Sequence, residues 1–157
     1  MANGNAGGIV VSTTDMRKIR RGLQMTAAEL RHSLIEQLAY IGEQAVKTAR
    51  DAGQYQDRTG NLRSSIGYVV LQDGREVTVG APEQFSGTDG DGSEGVATSK
   101  AMLKKLQGQY PKGLVLAVCA GMNYAVYVEA VHHLDVLTSA ELIARKLADD
   151  LLSAFTE

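Results

Sequence analysis

Leu30, Leu34, Leu38, Ile41 and Ala45 recur at intervals of three and four residues, the spacing that gathers side chains on one face of an α-helix. Ile35, Val46 and Ala49 broaden that stripe, so the helix has to be covered by the remainder of the chain. Thr26-Ala27-Ala28-Glu29 has capping-box spacing: the Thr26 hydroxyl would accept the Glu29 N–H while the Glu29 carboxylate reaches back. Gly53 is a suitable stop. The pattern predicts a long helix from Thr26 to about Gly53. Ahead of it, Met16–Leu23 is basic and periodic, with Asp15 as a cap and Gly22 expected to interrupt it. Met1–Gly8 is rich in Gly, Asn and Ala and expected to fray, and Ile9–Thr13 is β-branched enough for a short strand.

The strands that could cover this helix come later. Tyr68–Leu71 and Glu76–Val79 flank Asp73-Gly74, a pair suited to a tight hairpin turn. Leu114–Ala120 is a continuous apolar run of strand length, and Tyr124–Glu129 alternates or coils against it. Thr138-Ser139-Ala140-Glu141 repeats the capping-box pattern before Leu142, Ile143, Leu147, Leu151, Leu152 and Phe155, a second amphipathic helix. Between the strands, Gly87–Gly95 has four glycines in nine positions and reads as a mobile loop. Ala101, Met102, Leu103 and Leu106 then alternate with Lys100, Lys104 and Lys105 in a short helix ended by Gly108 and Pro111. Residues 81–113 are therefore expected to form an insertion projecting from the core.

The expected fold is a single α+β domain over residues 1–157. An antiparallel sheet of about four strands packs against a long N-terminal helix and a C-terminal helix, with the loop–helix insertion between them. Strands and helices do not alternate as a parallel sheet requires, which argues against a dinucleotide fold. A chain of 157 residues with 44% hydrophobic and 22% charged residues can build one core without staples, and the single Cys119 allows no intrachain disulfide. No apolar run approaches the roughly 20 residues of a membrane span, and the first residues lack a basic and apolar leader, so synthesis in the cytoplasm is expected.

Candidate chemistry is sparse. Asp89, Asp91, Ser93 and Glu94 suggest a calcium loop, but that template would place Glu94 at the sharp-turn Gly and Lys100 at the bidentate Glu. A solvated acidic loop fits better. The glycines lack a following Gly-Lys-Ser/Thr, so they do not make a phosphate cradle. His132 and His133 are adjacent, poor geometry for one shared metal, and His32 has no obvious companion. Cys119 lies in an apolar run and reads as a buried core thiol. Ser64, Ser65 and Ser139 sit at helix starts, and no Gly-x-Ser-x-Gly elbow occurs. The residues supply no catalytic argument, metal set or cofactor motif.

What remains are surfaces. A net charge of −2 shows no global basic excess, so any grip on nucleic acid has to be local. Arg17, Lys18, Arg20 and Arg21 place four cations in five positions, enough to meet phosphate or an acidic surface, although a solvated helix face is the simpler account. Lys100, Lys104, Lys105 and Lys112 repeat that choice. In Asp57–Ile66, Thr59 or Asn61 competes to cap a short helix. Tyr124, Tyr127 and Glu129 join amphipathic aromatic surface to a carboxylate.

Thr59-Gly60-Asn61-Leu62-Arg63-Ser64-Ser65-Ile66, followed by a Val-rich hairpin and then by Asn123-Tyr124-Ala125-Val126-Tyr127-Val128-Glu129, lies between a long helix and a terminal one. In that order the chain resembles the gene-product-ten-like tail-component family of lambdoid long-tailed phages. The likeness covers most of residues 27–155 apart from the insertion and rests on Thr59, Gly60, Asn61, Leu62, Arg63, Ser65, Tyr124, Ala125, Tyr127 and Glu129. Ala130 stands where the family pattern has Gly, and no Pro precedes the Thr-Gly turn.

The resemblance implies a non-enzymatic virion component without a cofactor. It would be a neck or tail-completion part at the head–tail junction or tail end, made in bacterial cytoplasm and assembled as a ring around the DNA path. Its implied partners are other junction or tail proteins and copies of itself, with DNA at most passing through and no membrane. The basic segment and the insertion, including Arg17, Lys18, Arg20, Arg21, Lys100, Lys104 and Lys105, would then make contacts between subunits or rings. Two rivals are a nucleic-acid-binding module using these cations, and a small-molecule-binding domain or enzyme built on the Tyr124/Tyr127 surface. The residues also allow Glu129 to accept hydrogen bonds from Arg63 or from the Thr59–Asn61 turn. If it does, reversing both charges restores part of the stability lost by either reversal in urea unfolding; strictly additive losses exclude the pair.

Overall fold

Ile66-Gly67-Tyr68-Val69-Val70-Leu71 has apolar side chains at successive rather than alternate positions, so a strand made from it has to be covered on both faces. The computed structural model describes residues 16–52, 56–80, 82–123, 125 and 136–154, and there this segment is the central strand β1 (Ile66–Gln72). It pairs antiparallel with β2 (Arg75–Val79) on one side and β3 (Leu114–Ala120) on the other, giving the order β2-β1-β3. Tyr68 faces Val118 and Val70 faces Leu116 across one ladder, while Val69 faces Val79 across the other. Positive φ at Asp73 (50°) and Gly74 (79°) closes the expected hairpin.

The helices are α1 (Met16–Ala52), the short α2 (Asn61–Ser64), α3 (Ser93–Leu106) and α4 (Thr138–Ser153). The chain divides into two units, residues 1–32 and 33–157. In the first, residues 17–32 are helical and exposed throughout. In the second, Ile66, Tyr68 and Val70 of β1 meet Ala45, Val46 and Ala49 of α1 and Ala140 of α4. On the opposite sheet face Val69, Leu71 and Cys119 meet Leu103 of α3. The sheet is thus a middle layer between helices, and each of its faces buries a separate apolar cluster.

The α+β architecture with helices from both ends of the chain is the one expected, with three strands among the described residues rather than about four. Ile9–Thr13, and Tyr124–Glu129 apart from Ala125, lie outside the described residues. So do Met1–Gly8, Asp15, Gly53, His132, His133 and Phe155.

Several local expectations are corrected. Gly22 does not interrupt the first helix: α1 runs through it, since a glycine in a helix interior costs only about 1 kcal/mol. Thr26 is a helix-interior residue whose hydroxyl donates to the Gly22 carbonyl at 3.0 Å, so it does not cap. The α4 cap position is held by Leu137 without a side-chain cap bond, and Glu141 pairs with Arg145 at 2.8 Å one turn on. The segment expected to project from the core instead packs into it. Helix α3 begins at Ser93, inside the glycine-rich stretch, and buries Ser99 and Leu103 against the sheet. Its apolar spacing was legible; the second apolar face of β1 that it covers is what draws it inward.

Tyr68 occupies a slot between Gly42 and Gly80, where a Cβ at either glycine would overlap its ring. Its hydroxyl donates to Glu43 at 2.9 Å. Burial first, and then the Glu43 carboxylate, push the Tyr68 phenol from 10.0 up to about 12. The folded chain therefore holds this proton more tightly than the unfolded chain does. The contribution is complete below pH 10 and is lost as pH rises towards about 12. Tyr68→Phe keeps the ring, so urea unfolding from pH 8 to 12 should show a flatter alkaline decline for the variant; an unchanged slope excludes Tyr68 as its source.

Candidate functional site

The Thr59–Ser65 segment turns sharply from the polar stretch after α1 into β1, and it does so around Gly60. This residue has φ 74°, and a Cβ there would collide with the Phe85 carbonyl oxygen. Neither Thr59 nor Asn61 is the principal cap of α2. Gly60 holds the cap position, and the Asp57 carboxylate accepts the N–H groups of Leu62 at 3.2 Å and Arg63 at 3.1 Å. An acceptor reaching in from outside the turn satisfies two of the helix's open donors. Thr59 contributes one long contact, its Oγ1 taking the Asn61 N–H at 3.4 Å.

Asn61 works outward. Its Nδ2 donates to Glu94 at 2.9 Å, and its Oδ1 accepts the Gly95 N–H at 3.2 Å, tying α2 to the first turn of α3. Ser64 and Ser65 are fully buried. The Ser65 hydroxyl donates to the Leu62 carbonyl at 2.7 Å. Ser64 Oγ accepts the Phe85 N–H at 2.8 Å, which pins the loop before α3. The Phe85 ring lies beneath two guanidiniums, Arg50 at 5.1 Å and Arg63 at 5.7 Å from its centre. Arg50 also reaches Glu83 at 3.0 Å and the Ile66 carbonyl at 3.0 Å.

The structure brings the two motifs of the resemblance together at one point. Leu62 of the first packs with Ala125 of the second and with Val136 in a small buried cluster. Tyr124, Tyr127 and Glu129 lie outside the described residues. Arg17, Lys18, Arg20 and Arg21 are exposed on α1, and Lys100, Lys104 and Lys105 are exposed on α3.

Beside the Thr59–Leu62 turn is an open cleft of about 580 Å³, lined among others by Asp57, Asn61, Glu94, Thr98 and Met122. Four of its polar side chains, those of Asp57, Asn61, Glu94 and Thr98, are already engaged. Asp57 serves two backbone donors, Glu94 takes Asn61, and the Thr98 hydroxyl donates to the Gly95 carbonyl at 2.9 Å. The acidic loop is used in the same way. Asp89 pairs with Arg58 at 3.1 Å, and the Ser93 N–H holds the Asp91 carboxyl below its usual range. Among the described residues no three metal-ligating side chains converge. Cys119 is buried in the α3-side cluster, and burial pushes its thiol up to about 11, away from thiolate chemistry.

Sequence reasoning found the turn but missed the residues that secure it, Asp57, Arg50 and Phe85. One signal was available: Phe85 is one of two phenylalanines, set in a polar stretch that gives it no local apolar companion. The geometry defines a structural knot joining α2, α3 and the Phe85 loop in an α+β domain. Comparison with family models, curated proteins and solved structures returns no match to this chain.

The cap assignment separates neighbouring residues. Asp57→Ala should cost about 1–2 kcal/mol in urea unfolding, because two helix donors lose their acceptor. Thr59→Ala and Arg58→Ala should each cost under about 0.5 kcal/mol, Arg58 holding only an exposed ion pair. Equal losses at Asp57 and Thr59 would show that Asp57 is not the cap.

Proposed function

We propose that this chain is a structural subunit of a double-stranded DNA phage or prophage particle. It would act at the head–tail junction or tail end, assembled as a ring around the DNA path. The observation that carries this reading is the use made of the resemblance motifs. Thr59, Gly60, Asn61, Leu62, Arg63 and Ser65 shape and brace a turn, and Leu62 meets Ala125 in a shared apolar cluster. Residues spent on holding elements together suit a building block better than a reactive centre.

The charge distribution agrees with that role. A net charge of −2 lets DNA pass without being held, and clustered cations leave local surfaces for neighbouring proteins. Among the described residues no helix is long and apolar enough to cross a membrane. The chain would be made in bacterial cytoplasm and carried into the virion, with other junction or tail proteins as partners.

Particles purified from a host that carries the gene test this directly by quantitative mass spectrometry. The chain should be present at a fixed, low copy number per particle, and deleting the gene should give unjoined heads and tails or unfinished tails in electron micrographs. Its absence from particles, together with normal particles after deletion, would overturn the reading. Light scattering with and without double-stranded DNA separates the rivals: a discrete oligomer indifferent to DNA supports the virion subunit. A monomer that shifts only with DNA at low salt supports the binding module.

A further inference from the structure

The first unit exposes an apolar helix face. Ile19, Leu23 and Leu30 are 40%, 66% and 47% exposed, and at about 100° per residue they fall within about 40° of arc. Lys18 and Arg20 flank this stripe on opposite sides. Residues 16–32 carry Arg17, Lys18, Arg20, Arg21 and Arg31 against Glu29 alone, a net charge of +4, which Asp15 just before them lowers to +3. Residues 33–157 carry eleven Lys and Arg against sixteen Asp and Glu, a net charge of −5. A second copy of the chain therefore offers what the stripe lacks, apolar cover with the opposite sign.

The matching surface is the exposed side of α4. Leu142 is 65% exposed and Leu152 62%, and Asp149 and Asp150 lie between them on the last turns. Arg145 on that side is engaged by Glu141, leaving Lys146 one turn further back. Both helix ends carry charge of the same sign as their own dipole pole. The first turn of α1 has no acid, and the last turn of α4 has no base. Each end concentrates charge that the other would neutralise.

We propose that residues 16–32 of one copy dock on the α4 face of a second. Lys18 and Arg20 would meet Asp149 and Asp150, with Arg21 on the far side of the helix adding only longer-range attraction, and Ile19 and Leu30, about 16 Å apart along their helix, would meet Leu152 and Leu142, about 15 Å apart along theirs. The contact joins two different surfaces, so it propagates head to tail and closes into a ring or continues as a filament according to the rotation per step. The inference rests on the virion reading only in taking the chain to self-assemble.

The test measures the mass of the full chain by sedimentation across a concentration series at low and high salt. Wild type should associate, and raising salt from about 0.05 to 0.5 M should weaken association at least about tenfold. K18E/R20E/R21E and D149K/D150K should each weaken it roughly 100-fold, and combining both sets in one chain should restore it. K18Q/R20Q/R21Q, which keeps good helix formers, should give an intermediate loss and guards against misfolding of the reversed chains. Association that ignores every charge change overturns this interface and leaves the ring reading standing. A wild type monomeric at all concentrations also overturns it, while the particle mass spectrometry still decides the virion role. Mass that rises only with DNA, and not in K18Q/R20Q/R21Q, would assign the cations to nucleic acid instead.

Discussion

Strand β1 has to be covered from both sides, and most of the described fold follows from that constraint. Ile66, Tyr68 and Val70 point to one face, Val69 and Leu71 to the other, and all five are buried. Each such side chain contributes about 1.5–3 kcal/mol when fully withdrawn from water, so a strand of this composition cannot leave either face open. One face takes α1 and α4; the other takes α3. Tyr68 is fitted most tightly, between two glycines and with its hydroxyl on Glu43.

The polar knot at the start of β1 has a different physical basis. A four-residue helix such as α2 cannot satisfy its own backbone ends, and Ser64 and Ser65 are buried beside it. Asp57 accepts two of the helix's open N–H groups, while Ser64 takes the Phe85 N–H and Asn61 takes the Gly95 N–H and donates to Glu94, so three separate stretches of chain are tied together. The carboxylates and hydroxyls of this region are therefore committed to structure. Charge is unevenly distributed along the chain: cations collect in the helical turns before His32 and acids outnumber bases after it.

Much of this was legible because it is local. The stripe from Leu34 to Ala49 repeats with the helix period, and Asp73-Gly74 between two β-branched runs can hardly be other than a hairpin turn. The capping boxes failed because Thr26 and Thr138 have the right spacing but the wrong neighbours. In α1 the helix was already under way at Thr26, and in α4 the cap position fell one residue earlier. The glycine-rich stretch looked like a detached loop since four glycines in nine residues bury almost nothing. Its glycines instead permit close packing on the α2 turn: a Cβ at Gly95 would strike the Asn61 carbonyl. The turn itself was visible at Thr59–Ser65, whereas Asp57, Arg50 and Phe85 act across 5 to 35 residues of sequence and carry no periodic signature.

The sequence by itself determined the types of the described elements, the antiparallel hairpin, the α+β class and the exposed basic turn, all of which depend on residues a few positions apart. The tertiary structure alone decided that α3 belongs to the core, that it is α3 that covers the buried Cys119, and that Leu62 and Ala125 meet. Those outcomes depend on which apolar face is left uncovered once the sheet has formed, a condition that exists only when distant segments are already in place.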